Sequence, residues 1–149
     1  MPLILIRYHH FLADGAYLAV KVTEGKIIMK VLVVDDNEAT TRIIQQVITS
    51  KDHGVMTAGD GLEGYNAYLD FRPDLVITDI EMPGKNGFEL VKAIRAHNPK
   101  IRTVYMSGHL ERFHSLIREE KMRYHALTLG KPFSLDELLK IVSDTPTTP

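Results

Sequence analysis

The chain has 149 residues, a length that fits one domain able to bury a sizeable core. Its composition, 44% hydrophobic and 25% charged, is ordinary for a globular protein, and a net charge of −1 leaves no bulk basic field for nucleic acid or an anionic membrane. With no cysteine, a disulfide framework, thiolate catalysis and Cys-based zinc sites are excluded, and no apolar run approaches the roughly 20 residues that span a bilayer. Met1–Ile6 is apolar but short, lacks a basic leader and has Arg7 behind it, unlike a secretory signal, so a cytoplasmic location is expected.

From Lys30 onward, strand-like runs alternate with helix-period segments. Lys30–Val34 is a β-branched run, and Glu38–Ser50 follows with Ile43, Ile44, Val47 and Ile48 on one helical face. Gly54–Ala58 is a weaker strand. Asp60, with Glu63 three residues later, opens a helix to about Asp70, stopped by Pro73. Asp74–Ile80 is the strongest strand. Phe88, Val91 and Ile94 mark a third helix that Pro99 ends, and Ile101–Met106 is a fourth strand. Leu110–Arg123 reads as a polar fourth helix, with Glu119-Glu120-Lys121 as a solvated face. His125–Leu129 is a fifth strand, and Ser134 with Glu137 caps a short fifth helix. Five strands alternating with five helices predict an α/β fold: a doubly wound, five-stranded parallel sheet with helices on both faces. Such sheets bind ligands beyond the carboxyl ends of their strands.

The residues at those ends carry chemistry. Asp35 and Asp36 follow the first predicted strand, Asp79 lies at the end of the third, Ser107 follows the fourth and Lys131 follows the fifth. Three carboxylates in one cup repel one another by about 4 kcal/mol per pair at roughly 4 Å and an effective dielectric near 20. Protonation or a cation relieves this, and magnesium suits carboxylates with open water positions. An aspartate in such a cup can attack phosphorus, Lys131 can meet one phosphate oxygen and the Ser107 hydroxyl another. Taken singly these residues have plainer readings, the acidic pair as a helix cap and Ser-Gly as a turn; together they point to in-line phosphoryl transfer. Gly84 and Gly87 are read as turn residues. The seven histidines show no metal-ligand spacing and are assigned to surface or packing.

Four segments make the chain resemble the response-regulator receiver family: Val-Leu-Val-Val-Asp-Asp-Asn (31–37), Asp-Ile-Glu-Met-Pro-Gly (79–84) with Gly87, Met-Ser-Gly (106–108) and Lys-Pro-Phe (131–133). They stand in family order, and the likeness covers about Met29 to Ser143. The resemblance implies the flavodoxin-like receiver fold with strand order 2-1-3-4-5. It implies Asp79 as phosphoacceptor, assisted by Ser107 and Lys131, and Mg2+ held by Asp35, Asp36, Asp79 and the main-chain carbonyl of Glu81. It further implies a cis Lys131–Pro132 bond, a sensor histidine kinase or histidine phosphotransfer protein as donor, and a phosphorylation-dependent dimer as one mode of output. By the same resemblance, Glu81 and His109 stand at positions expected to tune the lifetime of the acyl phosphate. With only Asp144–Pro149 after the fifth helix, a stand-alone receiver is expected, not an enzyme with a separate catalytic domain, acting by binding another protein or passing the phosphoryl group on.

The chain departs from the family in three places. Thr128 stands where the family carries an aromatic residue three positions before the lysine, which puts that version of the switch in doubt. The interval from Ser107 to Lys131 is slightly long, and the extra length is placed around the fourth helix. Residues 1–28 have no family counterpart, which gives the division 1–28, receiver 29–144 and flexible tail 145–149. Two accounts of 1–28 stand side by side: a biological start at Met29, with Glu24-Gly25 encoded by a ribosome-binding sequence, or an extra strand or helix covering a sheet edge or partner face. Two other functions are weighed. An aspartate-nucleophile phosphatase would use Asp35, but Asn37 replaces that family's second aspartate. A receiver-like binding module that is never phosphorylated would have no use for the complete acidic cup.

Overall fold

Apolar residues two apart on each central strand face opposite ways from their neighbours, and this alternation divides the core into layers. The computed structural model describes residues 5–11, 17–23 and 26–144, with side chains from residue 28 onward. Strands β4 (Lys30–Val34), β5 (Gly54–Ala58), β6 (Leu75–Asp79), β7 (Arg102–Ser107) and β8 (Leu127–Gly130) form one parallel sheet in the order β5-β4-β6-β7-β8. These are the five predicted strands. Helices α1 (Glu38–Thr49), α2 (Gly61–Phe71), α3 (Gly87–Arg95), α4 (His114–Tyr124) and α5 (Leu135–Ser143) connect or follow them.

On one face, Val31 and Val33 of β4, Leu75 and Ile77 of β6, and Val104 and Met106 of β7 pack with Ile44, Ile48, Leu138 and Val142 of α1 and α5. On the other, Leu32, Val34 and Val76 meet Tyr68, Leu90 and Ile94 of α2 and α3. A third cluster gathers Ile80, Val91, Tyr105, Ile117 and Ala126 under α3 and α4. Strands covered on both sides need apolar residues at every position, which is why β4 and β6 read as continuous runs. On α1 the face differs from expectation at Ile43, which is half exposed while Ile44 and Ile48 are buried.

Capping chemistry sets the helix starts. Asn37 accepts from the Thr40 N–H, Asp60 from Glu63, Asn86 from Glu89 and Ser134 from Glu137. The Asn86–Glu89 and Ser134–Glu137 pairs are reciprocal, whereas the Glu63 carboxylate reaches one residue further back, to the Gly59 N–H. Helix α3 stops at Ala96, before Pro99, and the predicted helix over Leu110–Arg123 is a 3-10 turn (Leu110–Phe113) followed by α4. His125, expected to open a strand, instead ends α4 in a left-handed conformation, and β8 begins at Leu127.

Before this sheet, β1 (Leu5–Phe11), β2 (Tyr17–Thr23) and β3 (Lys26–Ile28) form an antiparallel three-stranded sheet in sequence order. Residues 145–149, expected as a flexible tail, lie outside the described residues, as do Glu24 and Gly25. Among the described residues no helix is long and apolar enough to cross a membrane.

Candidate functional site

The chain runs outward from β4 to β5 and then crosses back past β4 to β6, so the strand order reverses between β4 and β6. At such a reversal the connecting loops separate and leave a crevice beyond the carboxyl ends. Asp35 and Asp36 follow β4 at this point, and Asp79 is the last residue of β6. The structure brings the three together: one ligand atom from each lies within 4.8 Å of the others. Asp35 and Asp79 are buried and Asp36 is exposed.

Asp35 is held from both sides. Its Oδ1 accepts from the Asn37 N–H at 2.9 Å, and its Oδ2 accepts from Lys131 Nζ at 2.6 Å. The same ammonium stands 3.6 Å from Asp79 Oδ1, an ion pair beyond hydrogen-bond length. Lys131 reaches the site from the end of β8, where its N–H donates to the Ser107 carbonyl and its bond to Pro132 is cis.

Asp79 has a perturbed carboxyl. Burial, the Asp35 charge and the Asp36 charge together outweigh the attraction of Lys131 and raise its carboxyl from 3.8 to about 6. The backbone around it is tightly fixed. Gly87 N–H donates to the Ile80 carbonyl, and a Cβ on Gly87 would fall 2.3 Å from the Asp79 carbonyl oxygen. Gly87 was read as a turn residue; it is the first residue of α3, and its missing side chain lets that helix approach the end of β6. Gly84, with φ of 76°, is the turn glycine of the pair.

Ser107 is buried at the end of β7. Its Oγ accepts from the His109 N–H at 2.8 Å and makes a long 3.4 Å contact with Glu81 Oε2. The Glu81 carboxylate also meets His109 Nδ1 at 3.3 Å and Arg112 Nη1 at 3.5 Å. The sequence marks Glu81 by its main chain and, with His109, by its position; that the Glu81 side chain bridges Ser107, His109 and Arg112 has no short-range sequence signal, because Glu81 follows β6 whereas the others lie at and beyond the end of β7.

A second group of polar side chains corrects the reading of α4. Glu120, expected on a solvated face, is largely buried: Tyr105 donates to its Oε2 at 2.8 Å, and Arg95 Nη1 lies 2.7 Å from Oε2 and 2.9 Å from Oε1. Glu120 lies three residues beyond Ile117, the buried residue of α4, so the two share a helix face. That spacing was the available signal.

A doubly wound sheet with an acidic cup at its switch point, a lysine over the cup and a hydroxyl beside it defines a phosphoryl-handling signalling module. The family model for the response regulator receiver domain matches residues 31–143, and the chain belongs to that family. It is 29% identical over 109 residues to sporulation initiation phosphotransferase F of Bacillus subtilis, covering 73% of this chain and 86% of that one. It is 31% identical over 112 residues to the DNA-binding transcriptional regulator NtrC of Azospirillum brasilense, covering 75% of this chain but 23% of that longer protein. Among solved structures it superposes on Vibrio cholerae chemotaxis protein CheY4 with a TM-score of 0.68 and 28% identity, over 80% of this chain and 99% of that one. The chain is therefore a response-regulator receiver domain of the two-component, phosphorelay type, with the fold expected from its sequence.

Proposed function

We propose that this receiver, residues 29–144, takes a phosphoryl group from a phosphohistidine donor onto Asp79. The observation that carries the proposal is the position of Asp79 within one cup shared with Asp35, Asp36 and Lys131. A carboxylate oxygen of Asp79 attacks phosphorus in line with the phosphorus–nitrogen bond of the donor, and the imidazole leaves with the electron pair of that bond. Lys131, already paired with Asp35, turns its ammonium to a phosphoryl oxygen. The Ser107 hydroxyl leaves Glu81 and donates to another.

The donor set fits a small hard cation: three carboxylates converge against one ammonium, leaving negative charge in excess. Asp35, Asp36, Asp79 and the Glu81 main-chain carbonyl would hold magnesium, which when bound offsets charge on the carboxylates and the incoming phosphoryl group. The donor is a sensor histidine kinase or a histidine phosphotransfer protein, and output is by binding another protein, by dimerisation or by onward transfer, in the cytoplasm.

The phosphatase alternative fares worse, because Asp35, its nucleophile, is buried with one oxygen on Asn37 and the other on Lys131. The test is incubation with acetyl phosphate and magnesium, followed by intact mass and peptide mapping. Label on Asp79 that disappears in Asp79→Asn is the expected result. Label on Asp35, or rapid turnover of phosphomonoesters, would overturn the assignment.

A further inference from the structure

Thr128 removes the aromatic side chain expected three residues before Lys131, yet an aromatic residue still stands beside it. Thr128 of β8 pairs with Tyr105 of β7. Tyr105 lies two residues before Ser107 on the same strand, so both side chains project from the same face of the sheet. It is fully buried, its ring centroid 4.8 Å from that of Phe88. Its hydroxyl is bonded to Glu120 of α4, whose carboxylate is bonded in turn to Arg95 of α3. The Arg95 guanidinium carbon lies 3.6 Å from the ring centroid of Tyr124, at the end of α4.

We propose that Tyr105, Glu120 and Arg95 form a bracket that holds α4 in its resting position and couples it to Ser107, replacing the aromatic side chain absent at 128. The inference rests on the reading of Asp79 as phosphoacceptor. Three features support it. Apolar burial does little to fix α4, because Ile117 is its one buried residue and its first turn has no side-chain cap. The bracket therefore supplies much of what ties the helix down. Burial and the adjacent Glu120 carboxylate hold the Tyr105 hydroxyl well above the usual phenol range, so it stays a donor at every physiological pH. The bracket is also incompletely satisfied: Arg95 Nε and Nη2 are buried without a hydrogen-bond partner among the described residues. Buried N–H groups without an acceptor are costly, so Arg95 is the weakest corner of the bracket.

The path from the site to the bracket is short. When Ser107 Oγ turns to the phosphoryl group, the His109 N–H loses its acceptor, and the loop leading into α4 is released at its start. Tyr105, on the same strand and bonded to Glu120, acts on the C-terminal half of the same helix. Helix α4 is thus held at two points, and both answer to β7.

The test is hydrogen exchange of peptides from 114–124 in wild type, Tyr105→Phe and Glu120→Gln, each with and without acetyl phosphate and magnesium. Acyl phosphate is followed by intact mass and folding by thermal melting. Tyr105→Phe keeps the ring and removes one hydrogen bond to a charged group, so resting α4 is expected to exchange on the order of tenfold faster, with β4 and β6 unchanged. Wild type shows a phosphorylation-dependent change in α4. Both variants accept the phosphoryl group to the wild-type extent, yet lose most of that change. Wild-type exchange and an undiminished response in either folded variant would overturn the proposal, even if the other variant fails to fold. Absence of acyl phosphate in wild type would sink the phosphoacceptor reading instead, and resting exchange would still decide whether the bracket holds α4.

Discussion

Replacing Asp79 with Asn is expected to stabilise the cation-free protein. The carboxyl is raised from 3.8 to about 6 because burial and two neighbouring aspartates penalise its ionised form more than Lys131 favours it. Between those two values the folded state holds a proton that the unfolded chain has released, so stability falls as pH rises through this window. The contribution of Asp79 is intact below 3.8 and lost above about 6. The full loss is about 3 kcal/mol, at roughly 1.4 kcal/mol for each pH unit between the two values. Asparagine has nearly the same shape and no charge, so Asp79→Asn should be more stable than wild type by ~1–3 kcal/mol at about pH 8, with the difference shrinking towards zero near pH 4. Urea unfolding across that range in a chelator measures it directly. Magnesium should narrow the gap by favouring wild type. Equal stabilities at high pH, or a wild type that gains on the variant as pH rises, would refute the electrostatic reasoning.

Lys131→Met leaves Asp35 buried without its ammonium and should cost ~2 kcal/mol in chelator, part of it restored by magnesium, as read by thermal melting with and without the cation. Asp36→Asn leaves the buried carboxylates in place and should weaken magnesium-dependent stabilisation and labelling by acetyl phosphate on the order of tenfold, with little change in chelator. Gly87→Ala forces a methyl group against the Asp79 carbonyl and should destabilise by ~3 kcal/mol in urea, slowing labelling of Asp79 through displacement of the acceptor. Ile44→Ala should cost ~2–5 kcal/mol and leave labelling of the folded fraction unchanged, because its core layer lies under α1 and α5, away from the cup.

Much of the receiver fold was legible because its signals are local. Consecutive apolar residues in β4 and β6 announce strands buried on both faces, and the Ser134–Glu137 pair marks the start of α5. The cup was legible because each member ends or follows a recognisable strand, so the fold class alone brings Asp35, Asp79, Ser107 and Lys131 to one edge. What escaped depends on contacts between distant segments. Glu120 reads as a surface residue until Arg95 and Tyr105 are placed against it from two other elements. Ile43 and Ile44 are adjacent isoleucines, and periodicity admitted both to a face whose helix buries only the second. Gly87 resembles any turn glycine in sequence, and its close approach to Asp79 appears only when α3 is docked.

That approach also sets where motion can go. Asp79 sits on a strand buried at every position, with Gly87 pressed against its carbonyl and the Ile80 N–H bonded across to Met106. On the proposed reading of Asp79 as phosphoacceptor, the group that takes the charge is in effect a fixed anvil. In that reading, charge arriving there meets a strand with little room to recoil, and the yielding falls to the opposite side of the crevice, where Ser107 is bonded to His109 just ahead of the 3-10 turn that leads into α4. The proposed acceptor thus predicts that the direction in which the signal leaves the site is decided by stiffness before any partner binds.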